Sequence, residues 1–315
     1  MSTPSGAIPE TLSAAQADAP SAMPATRPLY WSMRREVWEN RSIYIAPLAV
    51  AILGLCGFLV SLIWPVKHET GLMGIDPAYH TVALAMPYSH AAMLLLLTGL
   101  IVGIFYCLDA LHGERRDRSI LFWKSLPVSD LTTVLAKAAI PLLVLPLLLF
   151  AFTVVMQLIM LLLSIAALLI SGGSAATLWR QLPLFQLQFV LLYTLAVSTL
   201  WYAPIYAWLL LVSGWARRAI LVWAVLPPLA IAAVEWIAFH TSHFGSLLLN
   251  RLFGFAPDAY LLTMPDGSVV DPHFIPVSQL APGRFLASPG LWIGLALAVA
   301  FLAAAVRLRR YREPI

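Results

Sequence analysis

Three histidines have a spacing that could bind a metal ion. His240 and His243 lie three positions apart, so one helical face could present both, and His273 could add a third ligand. Imidazole is a common ligand of zinc and copper. Polar residues at the end of an apolar stretch explain the same pattern, and we favour that interpretation. The sequence therefore predicts no metal site.

Two acidic residues, Asp109 and Glu114, stand close to a group of arginines. Together they could bind a cation, but Arg115, Arg116 and Arg118 follow directly and offer simpler partners. We expect ion pairs around a helix end rather than a metal centre.

A third acidic residue, Glu235, lies inside an apolar stretch, four residues before its end. A charged group within a membrane span usually faces a cavity or a partner, or extends towards the interface. The hypothesis is that Glu235 borders a translocation pathway; extension of its side chain to the membrane surface is the alternative.

Motifs for nucleotide or peptide chemistry are missing from the sequence. It contains no GxxxxGK[ST] loop to bind phosphates and no HExxH pair. The triplet Ser171–Gly173 lacks the remainder of an ATPase signature and is interpreted as a turn. The acidic residues are too scattered for a phosphotransferase. We therefore expect no catalytic residues and no cofactor bound by this chain.

The composition is that of a membrane protein. Of 315 residues, 61% are hydrophobic and 11% charged, with a mean hydropathy of +0.85, whereas soluble domains carry about 25% charged residues. The two cysteines, Cys56 and Cys107, each lie within an apolar run, so no disulfide framework is expected.

Six apolar stretches are long enough to cross a bilayer, which takes about 20 helical residues. The predicted spans are Ile43–Trp64, Leu84–Leu111, Leu131–Ile170, Leu182–Val212, Ala219–Phe239 and Ala287–Val306. The third exceeds one crossing but has no charged break, so one long helix, tilted or kinked at Pro141 or Pro146, is predicted. The fourth carries polar residues that we expect to join helices rather than bind substrate. These are Gln186, Gln188, Tyr193, Thr194, Ser198 and Tyr202.

The distribution of positive charge predicts the orientation. Of the 19 Lys and Arg residues, all but Lys67, Arg180, Arg251 and Arg284 fall on the side of the two termini. Cytoplasmic loops are enriched in Lys and Arg. Both termini are therefore predicted to be cytoplasmic, in a multi-pass protein of a cell membrane, the bacterial inner membrane being expected.

Three further segments flank or interrupt the spans. Residues 1–27 are rich in Ala, Ser and Pro and are predicted to be a flexible cytoplasmic tail. Residues 28–315 are predicted to form one membrane domain. Residues 28–44 predict an amphipathic helix in the interface, with Tyr30, Met33 and Val37 on one face and Trp31 and Trp38 beside it. The outer segment, about 240–286, contains HFGSLLLNRLFGF, which predicts a short amphipathic or re-entrant helix.

The densest charge lies between Tyr106 and Lys137. Ser119 is a plausible N-cap for a short apolar helix that Pro127 ends, and Ser129 or Asp130 would cap the next helix. The short helix carries Ile120, Leu121, Phe122 and Trp123. An ordinary polar loop with a tryptophan in the headgroup layer is the alternative.

This segment, with Glu114–Arg115, the short apolar helix, Leu126–Ser129 and Lys137, resembles the first cytoplasmic loop of ABC type-2 permeases, the ABCG-like or type V architecture. Asp117, Arg118 and Ser119 depart from the Gly-Thr pair often found there. The resemblance implies an all-α protein of six transmembrane helices, with an N-terminal elbow helix, a cytoplasmic coupling helix and outer helices before the last span.

The resemblance also implies a function. The chain would be the permease subunit of an ATP-driven exporter, with two copies of a separate ABC ATPase, a second permease copy or homologue, and membrane lipid around it. ATP and Mg²⁺ would bind the ATPase, and no nucleic acid is expected. The coupling contacts would fall on Glu114, Arg115, Arg116, Ser119, Ile120, Leu121, Phe122, Trp123 and Pro127. A polytopic membrane enzyme or an assembly scaffold without an ATPase is the alternative.

Overall fold

The structure is a computed structural model that describes residues 26–63, 77–117, 128–170, 172, 182–261 and 275–311. Regular structure in these residues is helical, apart from one isolated bridge between Tyr260 and Leu280. The α-helices are α1 (Thr26–Glu39), α2 (Ser42–Ile63), α3 (Pro77–Ala110), α4 (His112–Arg116), α5 (Asp130–Ala139), α6 (Leu145–Ile170), α7 (Leu184–Trp215), α8 (Ile220–Phe239), α9 (His243–Phe253), α10 (Phe255–Ala259), α11 (Pro282–Ala287) and α12 (Pro289–Tyr311). A π-helical turn (Ile140–Val144) joins α5 to α6, and a 3₁₀ turn (Val277–Gln279) precedes α11.

Among the described residues, six helical segments are long and apolar enough to cross a membrane, which confirms the predicted all-α polytopic class. They are Ser42–Ile63, Val82–Arg116, Asp130–Ile170, Leu184–Trp215, Ile220–Phe239 and Pro289–Tyr311. Each overlaps one predicted span. Helices are the expected form because their backbone groups are satisfied within the segment.

The third span is one continuous helical segment, as predicted, and it changes geometry at its prolines. Pro141 and Pro146 each lack a backbone N–H, so two of the i to i−4 hydrogen bonds of a regular helix are missing, at positions five residues apart. The chain passes this point as the π-helical turn Ile140–Val144.

Helix α7 occupies the centre of the bundle. It contacts α3, α6, α8 and α12. In the 18-residue apolar stretch of α7, 61% of the residues are buried, against 6% in the corresponding stretch of α8. Small residues on α3 allow close approach: a Cβ on Gly99 would lie 2.1 Å from Leu149 Cδ1, and one on Gly103 would lie 3.0 Å from Tyr206 Cε1. The pair forms a GxxxG pattern that accommodates α6 and α7.

Helix α8 is held to α7 by a tryptophan that replaces a missing backbone donor. Pro228 has no N–H, so it cannot donate the usual helical hydrogen bond to the carbonyl of Ala224, four residues earlier. Trp208 Nε1 on α7 donates to this oxygen at 3.0 Å. Most other α8 side chains are exposed on the outside of the bundle.

The polar residues predicted to join helices do so at four positions of α7. Gln188 donates to Gln157 on α6, Tyr193 to the carbonyl of Ala259, and Tyr202 to that of Leu252. Thr194 forms a hydrogen bond with Tyr260 Oη. Burial raises the pKa of Tyr260 to about 12.

The amphipathic helix predicted near the N-terminus is present as α1. Tyr30 is exposed, as are Trp31 and Trp38, whereas Val37 packs against the core. The most buried described side chain of α1 is Glu36. The contacts of Glu36 with Lys137 and Tyr106 therefore fix this helix to the bundle.

Candidate functional site

Glu36 is a carboxylate buried at one end of the bundle, with both oxygens paired. Its Oε1 accepts from Arg35 Nη2 at 2.7 Å and from Lys137 Nζ at 2.9 Å, and its Oε2 accepts from Tyr106 Oη at 2.9 Å. Only 1% of the Glu36 side chain is exposed. This group joins α1 to α3 and α5.

Glu114 on α4 shares the same two cations. Its Oε1 lies 3.2 Å from Arg35 Nη2 and 3.0 Å from Lys137 Nζ. Two carboxylates and two cations thus alternate around a small ring, and each charge has two opposite neighbours. Such pairing is needed because an isolated charge in an apolar bundle costs several kcal/mol.

Arg309, near the end of α12, completes the buried ion cluster. Its Nη1 donates to Glu114 Oε2, and its Nε donates to Asp130 Oδ1 at 3.1 Å. Glu114 precedes the segment 117–129 and Asp130 follows it. One guanidinium therefore holds both stems of the predicted first loop. We define the ion cluster as Arg35, Glu36, Glu114, Asp130, Lys137 and Arg309, with Tyr106 as its hydroxyl donor.

The first stem of the loop is also fixed to the end of α7. Ser213 Oγ accepts from the backbone N–H groups of Leu111 and His112, both at 2.9 Å, at the break between α3 and α4. Arg115 Nη1 donates to the Gly214 carbonyl at 2.7 Å, satisfying a carbonyl at the C-terminus of α7. Both interactions are buried.

The second stem begins at a capped helix. Ser129 Oγ accepts from the Thr132 N–H at 3.1 Å, which confirms Ser129 as the N-cap of α5. Asp130, in the first turn, adds a negative charge where the helix dipole favours one.

The predicted coupling residues fall into three groups. Glu114 and Arg115 are buried in the bundle, where Glu114 pairs with Arg35, Lys137 and Arg309. Arg116 is exposed and pairs with Asp117 at 3.1 Å. The remainder lie outside the described residues: Ser119, Ile120, Leu121, Phe122, Trp123 and Pro127.

Glu235 caps the N-terminus of α9. Its Oε1 accepts from the His243 N–H at 2.8 Å and from Thr241 Oγ1 at 3.0 Å, and its Oε2 accepts from the Phe244 N–H at 2.7 Å. The first N–H groups of a helix have no partner within it, and a carboxylate there also complements the dipole. The partner of this intramembrane acid is thus a helix end.

The other end of α9 is held by α7. Trp201 Nε1 donates to the Arg251 carbonyl at 2.9 Å, and Tyr202 Oη donates to that of Leu252 at 3.0 Å. Gly245 lies near Ala232, so α9 folds back along α8. The Arg251 guanidinium stacks on Trp201 and donates to the Gly290 carbonyl, and burial lowers the pKa of Arg251.

The histidines do not form a metal site in the part of the chain that is described. His243 lies 3.4 Å from Glu235 Oε1, and His240 stacks on Trp236. No group of three His, Cys, Asp or Glu residues among the described positions could hold an ion. His273 lies outside them.

Sequence reasoning did not identify Glu36 and Arg309 as parts of one site. Arg309 was one of several terminal arginines that indicated orientation, and Glu36 stood among aromatic and apolar residues of an interfacial helix. Lys137 gave the clearest signal, because a lysine seven residues into a predicted span requires a partner.

Comparison with protein-family models, with curated proteins and with solved structures gave no match. The geometry of the ion cluster and the loop stems therefore carries the functional argument.

Proposed function

We propose that this chain is the membrane-spanning permease subunit of an ATP-driven exporter, and that the segment 117–129 docks onto a separate ATPase subunit. The observation that carries the proposal is the bridge from Arg309 to Glu114 and Asp130. Because the two stems share one buried cation, a displacement of the stems would be passed to the helix that supplies it.

The ion cluster is suited to transmit a displacement. It connects the loop stems with α1, α3, α5 and α12 through interactions among side chains that are mostly buried. Packed, paired interfaces of this type switch between discrete arrangements rather than deform continuously. A push on the loop would therefore be passed to several spans together.

The partner would supply the chemistry. The sequence has no phosphate-binding loop, so ATP and Mg²⁺ would bind the ATPase. Two permease copies would assemble with two ATPases, and the exposed face of α8 is the surface we assign to the second copy. In this arrangement the ion cluster and both termini face the cytoplasm of a bacterial inner membrane.

The test is complex formation with defined variants. Phe122→Ala and Trp123→Ala are expected to reduce co-purifying vanadate-sensitive ATP hydrolysis, because one buried aromatic can contribute about 2 kcal/mol or more to an interface, roughly thirtyfold in affinity. Arg116→Ala should mainly make the complex more sensitive to salt.

Trp38→Ala is the matched control, since Trp38 is an exposed tryptophan on α1. If both loop variants retain ATPase as fully as Trp38→Ala does, lipid anchoring explains the loop aromatics and the proposal is wrong. A protein that purifies with no ATPase under any condition would favour the enzyme or scaffold alternative.

A further inference from the structure

A cavity of about 410 Å³ lies within the bundle, away from the ion cluster. Its walls come from α3, the kinked junction of α5 and α6, the middle of α7, and the tip formed by α9 and α10. Ligand pockets are typically about 300–1,000 Å³ and mostly apolar, and this cavity meets both criteria.

The entrance is apolar and faces sideways from the bundle. Met93 and Leu97 on α3 and Phe253 at the end of α9 line the cavity and have exposed side chains. In a membrane this side meets hydrocarbon. A molecule dissolved in the bilayer could therefore enter without crossing a polar surface.

Two hydroxyls in the wall, those of Thr199 and Tyr206, have no hydrogen-bond partner within the described residues, and Tyr206 is the more deeply buried of the two. The other hydroxyls of α7 that line the cavity mostly bond to protein: Ser198 to the Leu195 carbonyl and Tyr202 to that of Leu252. Tyr206 has only 6% of its surface exposed, and its phenol forms no hydrogen bond in the described part of the chain. Buried hydroxyls are normally paired, so this one indicates a ligand or a water.

The lining also limits the charge of a ligand. None of the described lining residues is charged, and an unpaired ion in such surroundings would be strongly disfavoured. We propose that the cavity binds one neutral, mainly apolar molecule whose hydroxyl or carbonyl oxygen pairs with the Tyr206 phenol. This inference is independent of the proposed function, because it concerns binding alone.

A matched pair of probes tests the role of the oxygen. Decanol and undecane have the same number of heavy atoms, and their binding to the purified full chain is measured in a detergent without an alkyl chain. Tyr206→Phe should weaken decanol binding about threefold to tenfold, as expected for one hydrogen bond, and leave undecane unchanged. Tyr30→Phe, an exposed tyrosine on α1, should change neither.

A second variant tests the location. Ser198→Leu places a larger side chain in the cavity and should abolish binding of both probes. Ser61→Leu is its control, because Ser61 makes the same type of bond to the carbonyl three residues earlier but lies on α2. Binding of decanol that is equal in wild type, Tyr206→Phe and Ser198→Leu would overturn the proposal.

The source of the natural ligand is distinguished by competition. If dioleoylphosphatidylcholine displaces decanol, the site accepts an acyl chain and ester of a membrane lipid. If it does not, the site selects a smaller hydrophobic solute. Both results support the site provided that Tyr206→Phe and Ser198→Leu behave as stated.

Discussion

Glu36 and Lys137 form an ion pair that is almost inaccessible to solvent, with 2.9 Å between Oε1 and Nζ and exposed fractions of 1% and 3% for their side chains. The glutamate lies on the short helix before the first span, and the lysine lies within the third. Each charge is acceptable at this place only because the other is there.

Replacing Lys137 with Met should lower the free energy of unfolding by about 3–5 kcal/mol, because Glu36 and Glu114 would both lose a buried cation. Titration with sodium dodecyl sulfate in mixed micelles would measure the loss. Arg116→Met is the control, because the pair of Arg116 and Asp117 is exposed and should show no measurable change. Glu36→Gln combined with Lys137→Met should recover part of the stability. A Lys137→Met protein as stable as wild type would contradict the structure of the cluster.

Glu235→Gln should loosen the start of α9 while leaving the spans intact. The amide retains one acceptor oxygen but loses the charge that pairs with two N–H groups and the helix dipole. Hydrogen exchange at residues 243–246 is expected to speed up severalfold, with α12 unchanged as an internal control. Unchanged exchange together with impaired transport would instead favour the original hypothesis that Glu235 borders a pathway.

Trp208→Phe should destabilise the contact between α7 and α8 by about 1 kcal/mol, because the Ala224 carbonyl loses its donor. Pro228→Ala supplies a backbone N–H at the position that normally serves this carbonyl. The loss caused by Trp208→Phe should therefore be smaller in the Pro228→Ala background. The same unfolding titration on all four proteins gives the coupling energy, and equal losses in both backgrounds would show that the loss does not arise from the unpaired Ala224 carbonyl.

Hydropathy alone was sufficient to predict the six spans and the single long third helix, because apolar length is a local property that the bilayer imposes. Local chemistry likewise limited the cap of α5 to Ser129 or Asp130 and predicted the helix that begins at His243. Four of the six polar residues of α7 join it to other segments as expected, whereas Ser198 bonds to the Leu195 carbonyl of its own helix.

The tertiary structure alone decided which charges meet. Glu114 and Arg309 are separated by 195 positions, and no periodicity in either segment indicates the other. The sequence also did not indicate that Glu235 binds the helix that folds back after it. Apolar length determines that a helix crosses the membrane, but the packing of one helix against another determines its neighbours. Small residues such as Gly99 and kinks such as that at Pro141 set this packing, and their effect depends on the whole bundle.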